Sequence, residues 1–518
     1  MKKRVCFGIT ILLCICMLVG CGKQAPQPAP VPTDLKEGGT GVVSLPITHF
    51  DTFNPILTRS DTVLDAMQLV YDSMYRRAAD GKCAPLLATG ADVSADGLVY
   101  TIHLREDVKW HDGSGFSSAD VAHTVQAIEN APQTTLGKCL AGVVSHGATG
   151  MYTYRFELAE PNSCFTEQLT FPIVKHGTDC TQVQSSYVPV GTSAYVYVPS
   201  TLNRAYVFHK NGACVTTPLG TVEEVILKVI PEADNSIYAL ESREIEAVHA
   251  DTDLLRTYSP KGNVRTITYT NRRLTFLGIG ANGNLADKRV RRALSLFIDR
   301  ETIKKNVMFD RFVPVYLPLT DSRYYNQDTE SERAQEAQTL LQSAGFLKNT
   351  DGFWEKETEE GRSVLSVSVL VNMENEVRCK AAENIAAQLV ACGIKAYVDK
   401  TDYETYALRI SENEYSLFLG ETILEDDLDV FALAGSTARY TGADGANMDA
   451  VLYNLKNAVT QQGRESAQQS LASALADEMP VIALGYGQNA LIVNDRISGE
   501  ICPVYGNVFA NFAAWTAL

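Results

Sequence analysis

The run from Leu98 to Ile128 constrains the fold more than any other part of the sequence. Its first part shows the period-two pattern of a half-buried strand, in which Leu98, Tyr100, Ile102 and Leu104 alternate with Val99, Thr101, His103 and Arg105. Asp112-Gly113 is typical of a turn. Ser117 and Asp120 have the spacing of a helix N-cap with an acidic partner, ahead of apolar residues at helical spacing. The run therefore predicts a strand, a turn and a capped helix, in that order.

This run also carries a resemblance to a known family. Residues 100–121, YTIHLREDVKWHDGSGFSSADV, resemble the signature of the family 5 extracellular solute-binding proteins, which are the peptide-, nickel- and oligopeptide-binding components of ABC importers. Trp110 replaces the usual Phe of that signature, and Gly115 replaces the usual Pro. Residues 287–300 resemble a second family motif, a helix of the form D-RVRQAL-AIDR. The resemblance is strongest in residues 65–128 and 287–308.

The N-terminus has the pattern of a secretory signal. Lys2, Lys3 and Arg4 precede an apolar run of residues 5–19, which has the length of a signal h-region. Residues 18–21, LVGC, resemble a bacterial lipobox, which implies cleavage before Cys21 and a lipid on its sulfur. The alternative is an ordinary signal peptide with a chance cysteine. Alternating prolines in residues 26–32 predict an extended tether after Cys21.

Composition limits the partners of the secreted chain. Without residues 1–20 the chain carries 42 Lys and Arg against 61 Asp and Glu, a net charge of −19. Such an acidic body argues against nucleic acid as a partner. We expect it to meet the membrane through the lipid anchor alone, and to be a monomer. Its length exceeds one typical core, so we expect two or more lobes.

The second half of the sequence predicts alternating strands and helices, which indicates an α/β lobe. Asp299 is expected to cap a helix that follows it. We interpret the basic run Lys288, Arg289, Arg291 and Arg292 as a solvated helix face. Gly191 is interpreted as part of a crossover turn that needs glycine's backbone freedom.

The family resemblance implies an α/β, two-lobed periplasmic-binding-protein-like fold of the large three-domain type, with mixed sheets and flanking helices. It predicts the following division: 1–20 signal peptide; 21–40 lipidated cysteine and tether; 41–55, 186–272 and 485–518 lobe I; 56–185 domain II, inserted in lobe I; and 273–484 lobe III, which closes on the ligand.

The sequence lacks the motifs of common hydrolases. It has no GxSxG elbow and no P-loop. His103, His111 and His123 lack the spacing of a metal site, and the acids from Glu425 to Asp429 lack the pattern of a calcium loop. We therefore predict a protein that is not an enzyme and has no cofactor, catalytic residue or resident metal.

The resemblance also implies candidate ligand contacts. Residues 421–424 align with the family's W-x-x-D segment, so Leu424 occupies the position of the amine-binding Asp. Either Glu421 or Glu425 replaces that Asp, or the ligand has no free amine. Arg378 and Lys380 lie about where dipeptide binders place a carboxylate-binding Arg; the alternative is solvated charges at a helix start. Tyr403 and Tyr406 resemble aromatic positions that line the cleft or form its floor.

These expectations define a function. The resemblance implies an extracytoplasmic lipoprotein, bound to the membrane through Cys21, that captures a small solute, most simply a peptide, between two lobes. It would deliver the solute to the permease subunits of an ABC importer. The alternatives are a surface hydrolase, or a ligand-sensing or chaperone protein on the same fold.

Overall fold

A computed structural model describes residues 41–202, 204–257, 261–280, 282–321, 330–359, 361–438 and 446–518. They belong to one compact unit. The predicted tether and Cys21 lie outside these residues. Among the described helices, none combines the length and the apolar character needed to cross a bilayer.

The strands of the described residues are, in chain order, β1 (Val42–Ile47), β2 (Tyr75–Arg77), β3 (Cys83–Pro85), β4 (Ala88–Val93), β5 (Val99–Leu104), β6 (Val143–Gly150), β7 (Thr153–Leu158), β8 (Tyr195–Val198), β9 (Ala205–Lys210), β10 (Glu224–Val229), β11 (Ala247–Ala250), β12 (Val264–Ile279), β13 (Phe312–Pro314), β14 (Leu347–Lys348), β15 (Trp354–Thr358), β16 (Gly361–Val364), β17 (Ser366–Asn372), β18 (Lys395–Thr401), β19 (Leu417–Ile423), β20 (Val481–Asn494), β21 (Ile497–Gly499) and β22 (Trp515–Ala517).

The α-helices of the same residues are α1 (Asp61–Met67), α2 (Ser118–Asn130), α3 (Phe165–Gln168), α4 (Ala233–Glu241), α5 (Thr252–Thr257), α6 (Lys288–Phe297), α7 (Arg300–Asn306), α8 (Glu330–Ser343), α9 (Glu376–Ala391), α10 (Tyr403–Ser411), α11 (Phe431–Ala434), α12 (Ala446–Lys456) and α13 (Gln461–Glu478).

The local predictions from the signature run are confirmed. Strand β5 alternates buried and partly buried residues, as its period-two pattern indicates. Ser117 caps α2 in a capping box: its side chain accepts a helix N–H, and the Asp120 carboxylate accepts the Ser117 N–H at 2.8 Å. Further along the chain, Asp299 caps α7 through the Glu301 N–H, as expected.

The three largest sheets of the described residues form most of the body of the protein. The order β1-β10-β9-β8 makes one four-stranded sheet, and β4-β5-β7-β6 makes a second. The third has the order β11-β20-β12-β19-β17-β18, with β13 paired to β20. In it β17 runs parallel to both β18 and β19, whereas β12 and β20 are antiparallel. These mixed sheets with flanking helices confirm the predicted α/β fold class.

Two long neighbouring strands connect separate hydrophobic cores. One core gathers the first two sheets and the end of β20, including Leu491 and Val493. Two further cores pack on the opposite faces of the third sheet, and β12 supplies Leu274 to one and Leu277 to the other. Strands β12 and β20 are therefore the shared element between these cores. The predicted division into lobes I and III and domain II stays a prediction.

The prediction of a solvated basic face on α6 is wrong for Arg291. This side chain is buried, and it donates hydrogen bonds to the carbonyls of Leu285, Ala286, Glu478 and Met479. The last two carbonyls lie at the C-terminal end of α13, where a helix leaves acceptors without partners. A guanidinium supplies five donors, so Arg291 caps α13 instead of facing solvent.

Candidate ligand-binding site

A cavity of about 900 Å³ opens where several parts of the chain meet. Its walls come from β2 and the turn after it, the loop before α3, the middle of β12, the start of α13 and the loop at 504–505. The lining includes four tyrosines, four cations and five acids: Tyr75, Tyr100, Tyr269, Tyr505, Arg77, Lys82, Arg272, Arg464, Asp80, Glu167, Asp321, Asp426 and Glu465. This volume lies within the range of small-molecule sites, and the lining offers hydrogen bonds and charges of both signs.

Arg272 reaches the cavity from an irregular point in β12. The pairing of β12 with β20 shifts register between Thr270 and Leu274, and Arg272 has a φ of 59°. This left-handed backbone conformation is unfavourable for any residue other than glycine. The Arg272 guanidinium donates to the Glu425 carbonyl and lies 5.2 Å from the Tyr505 ring centroid. The backbone is thus held in an unfavourable conformation where it presents a cation to the cavity.

Glu425 joins three separate segments beside this cavity. Its carboxylate forms an ion pair with Lys138 and accepts a hydrogen bond from the Tyr505 hydroxyl at 2.7 Å. Burial alone would raise the pKa of Glu425, but the bonds from Lys138 and Tyr505 and the charge of Arg272 bring the pKa below its usual range. Glu425 is therefore a carboxylate that already has cationic and hydroxyl partners.

Two arginines share one carboxylate on another wall. The Arg77 guanidinium lies 2.9 Å from one Glu167 oxygen, and the Arg464 guanidinium lies 3.4 Å from the other. Arg464 also donates to the Ser163 carbonyl at 2.6 Å. Arg77 and Glu167 are largely buried, with 10% and 16% of their side chains exposed. Residues far apart in the sequence thus form one charged cluster with more positive than negative charge.

A chain of hydrogen bonds leads from the cavity into the protein. The hydroxyl of Tyr269, which lines the cavity, lies 2.7 Å from Nε2 of His249, and His249 Nδ1 lies 2.7 Å from the Asp65 carboxylate. Burial alone would lower the pKa of His249, but the charges of Asp65, Asp251 and Asp61 outweigh it and raise the pKa. His249 is therefore stabilised in its charged form.

We expect the stability that His249 contributes to depend on pH. Because its folded-state pKa is raised, the contribution is complete below the unfolded value of about 6.5 and is lost as pH rises through the raised value. His249→Asn should therefore lower the urea-derived free energy of unfolding more at pH 5.5 than at pH 8.5. The control is His103→Asn, which changes a more exposed ion pair with Asp92. An equal effect of His249→Asn at both pH values would contradict the assignment.

The structure places the predicted residues Arg378 and Glu421 together. Their side chains form an ion pair of 2.5 Å, and Arg273 lies 4.0 Å from the same carboxylate. Glu421 is on β19, while Arg378 is in the first turn of α9, after the Asn375 cap. Both side chains are outside the lining of the cavity. Their role as ligand contacts stays a prediction.

The other predicted residues have different surroundings. Lys380 forms an exposed ion pair of 2.6 Å with Glu376 on its own helix. Tyr403 is exposed, whereas Tyr406 is buried and donates to the Leu419 carbonyl at 2.8 Å. Glu425 lies beside the cavity, because it contacts two of the lining residues. The ligand-binding roles of Lys380, Tyr403, Tyr406 and Glu425 also stay predictions, as does lipidation of Cys21.

Several of these residues lie at one edge of the third sheet. The carboxyl ends of the parallel strands β17, β18 and β19 meet at this edge, which is where open α/β sheets bind ligands. The side chains of Met373, Tyr403 and Ile423 are exposed there. This edge is a second surface, distinct from the cavity lining, on which a solute can be contacted.

Sequence reasoning missed most of the cavity. Arg77, Glu167 and Arg464 are far apart in the sequence, and no periodic pattern connects them. The sequence pointed to Arg272 only weakly. Its one distinguishing feature is that the polar residues 271–273 directly precede the predicted buried strand that begins at Leu274. Two of the histidines singled out in the sequence have different partners: His103 contacts Asp92, and His123 lies 2.8 Å from the Thr178 carbonyl. Within the described residues, no three potential metal ligands are grouped.

The fold and the cavity together define the class of large, mixed-sheet α/β binding proteins. Residues 82–440 match the model of the bacterial extracellular solute-binding proteins, family 5 Middle. The chain belongs to this family, whose members are solute-binding components of ABC transporters, act outside the cytoplasm and are not enzymes.

Individual relatives are distant but cover nearly the whole chain. The oligopeptide-binding protein AppA of Bacillus subtilis is 20% identical over 489 residues, which is 90% of this chain and 89% of that protein. The structure of the periplasmic murein tripeptide-binding protein MppA superimposes with a TM-score of 0.76 at 17% identity, covering 92% of this chain and 98% of that one. A nickel ABC transporter structure from Bacillus halodurans superimposes with a TM-score of 0.71 at 17% identity, covering 88% of this chain and 96% of that one. These structural matches support the fold.

Proposed function

We propose that this chain captures a short peptide in the 900 Å³ cavity and delivers it unaltered to the permease of an ABC importer. The observation that carries the proposal is the lining of that cavity by tyrosines and by charges of both signs. A peptide presents backbone amides, an amine and a carboxylate, and these groups need such partners when they leave water.

Two relatives support a peptide as the solute. AppA of Bacillus subtilis is named an oligopeptide-binding protein, and MppA a murein tripeptide-binding protein. Other relatives are named for nickel. The four tyrosines of the cavity favour a peptide here, because an aromatic ring offers a flat apolar surface and its hydroxyl offers a hydrogen bond.

The test uses the full chain after mild detergent extraction. Native mass spectrometry identifies any solute that accompanies the protein, and titration calorimetry with tri-alanine measures binding directly. After incubation the peptide is recovered and its mass determined. Binding with complete recovery of intact peptide supports the proposal. Cleavage of the peptide, or binding of a metal chelate with no binding of peptide, would contradict it.

We further propose that a lipid on Cys21 holds the protein at the outer face of the cell membrane. The motif LVGC at residues 18–21 and the proline-rich segment after it support this anchor. The mass of the N-terminal peptide from extracted protein is expected to include the lipid. Cys21→Ser should release the protein from the membrane fraction, and its retention there would contradict the anchor.

A further inference from the structure

The cavity wall formed by Arg77, Arg464 and Glu167 has a surplus of positive charge. Both guanidinium groups contact the same carboxylate, one oxygen each, at 2.9 and 3.4 Å. Two positive charges therefore face one negative charge. The side chains of Arg77, Glu167 and Arg464 are 10%, 16% and 30% exposed, so water screens the remaining positive charge only in part.

The same wall retains hydrogen-bond donors. A guanidinium carries five N–H groups. Within the described structure Arg77 donates one hydrogen bond from its guanidinium, to Glu167, and Arg464 donates two, to Ser163 and Glu167. The Ser163 hydroxyl, which also belongs to the lining, is buried and makes no hydrogen bond with the described residues. The guanidinium N–H groups that have no acceptor in the part of the chain that the structure describes are therefore available to an acceptor group of a solute.

The thiol of Cys83 lies in the same lining. Burial raises its pKa; among the charged groups Glu167 acts on it most strongly and raises the pKa further, while Arg77, Arg464 and Arg272 lower it. This carboxylate and these cations are thus close enough together to act on one atom. The chain as a whole has a net charge of −16, so the positive wall is not a reflection of overall composition.

We propose that the wall formed by Arg77, Arg464 and Glu167 binds a carboxylate of the solute. The proposal rests on the proposed function and deepens it, because it assigns one end of the peptide to one wall of the cavity. A planar carboxylate accepts two parallel hydrogen bonds from a guanidinium and neutralises the surplus charge. The wall therefore selects solutes with a free carboxylate.

The test compares three peptides by titration calorimetry on the full chain. Tri-alanine carries a C-terminal carboxylate, tri-alanine amide carries none, and Ala-Glu-Ala amide carries one on a side chain only. Loss of the carboxylate is expected to weaken binding about 30-fold. If tri-alanine amide binds weakly, the proposal is supported. Tight binding of Ala-Glu-Ala amide would then show that a side-chain carboxylate also binds the wall. Weak binding of Ala-Glu-Ala amide would instead show that the wall binds the C-terminal carboxylate.

Three variants locate the effect. Arg464→Gln should weaken tri-alanine binding and remove the difference between tri-alanine and its amide, because the remaining charge of Arg77 is balanced by Glu167 and the positive surplus is gone. Glu167→Gln keeps a hydrogen-bond acceptor but increases the positive surplus, so it should strengthen tri-alanine binding; a purely structural role predicts the opposite. Arg292→Gln changes an arginine paired with Glu336 outside the cavity lining and should leave binding unchanged. Thermal unfolding confirms that each variant is folded.

The outcomes separate this proposal from the proposed function. If tri-alanine and its amide bind equally well, the proposal that the wall binds a carboxylate is wrong, and the proposed capture of peptides is still supported. A different result is that no peptide binds, glutarate binds, and Arg464→Gln abolishes glutarate binding. In that case the proposal that the wall binds a carboxylate is supported, and the proposed capture of peptides is wrong. If neither the peptides nor glutarate bind, both proposals are wrong.

Discussion

Replacing Arg300 with leucine is expected to lower the free energy of unfolding by about 4 kcal/mol. The Arg300 side chain is fully buried. Its guanidinium donates to the backbone carbonyls of Ser295, Ile298, Val315 and Ala483 at 2.7–3.1 Å. Leucine would leave several of these acceptors buried without a donor, and that loss exceeds the gain from burying a small apolar group. Urea unfolding measures the difference.

The control for Arg300 is an arginine of the preceding helix. Arg292 forms an ion pair with Glu336, and both side chains are more than a third exposed. Such surface pairs contribute little, so Arg292→Leu should change the free energy of unfolding by less than about 1 kcal/mol. Similar losses for the two variants would show that Arg300 does not hold β20 and the β13 segment to α7.

Replacing Gly191 with alanine is expected to lower the free energy of unfolding by about 3 kcal/mol. A Cβ at Gly191 would lie 1.8 Å from the Val70 carbonyl oxygen and 2.6 Å from its carbon. The segment cannot retreat easily, since the Gly191 carbonyl accepts the His111 N–H at 2.8 Å and the Ser193 N–H donates to Val70 at 3.1 Å. The melting temperature should fall accordingly.

Gly90→Ala is the matched control for Gly191→Ala. Gly90 lies in β4 without a positive φ, and no heavy atom of the described structure lies within 4 Å of the position that an alanine Cβ would take there. This change should alter the free energy of unfolding by less than about 1 kcal/mol. If Gly191→Ala were equally mild, the close approach of residue 191 to Val70 would not constrain the fold.

Gly191 shows what sequence reasoning explains and what it misses. The turn motif is recognisable from the sequence, and the motif predicts that its glycine needs unusual backbone angles. Gly191 does not have a positive φ, so that reason is wrong. The glycine is needed because two distant segments touch there, and a single sequence does not reveal such contacts.

The fold was predictable where the signal is local. The capping box of α2, the cap at Asp299 and the alternation of β5 each follow from a few neighbouring residues. The cavity depends on contacts between distant residues, such as Arg77 with Glu167 and Glu167 with Arg464. The predicted pair Arg378 and Glu421 does come together, because β19 and the start of α9 meet at one sheet edge.

Hydrogen–deuterium exchange with and without tri-alanine tests most directly whether the cavity binds the solute. We predict slower exchange on peptide binding in residues 75–83, 269–272 and 461–468, which line the cavity. Segments 373–380 and 403–406 at the sheet edge should change less. Protection confined to the sheet edge, with unchanged exchange in the three cavity segments, would contradict the account.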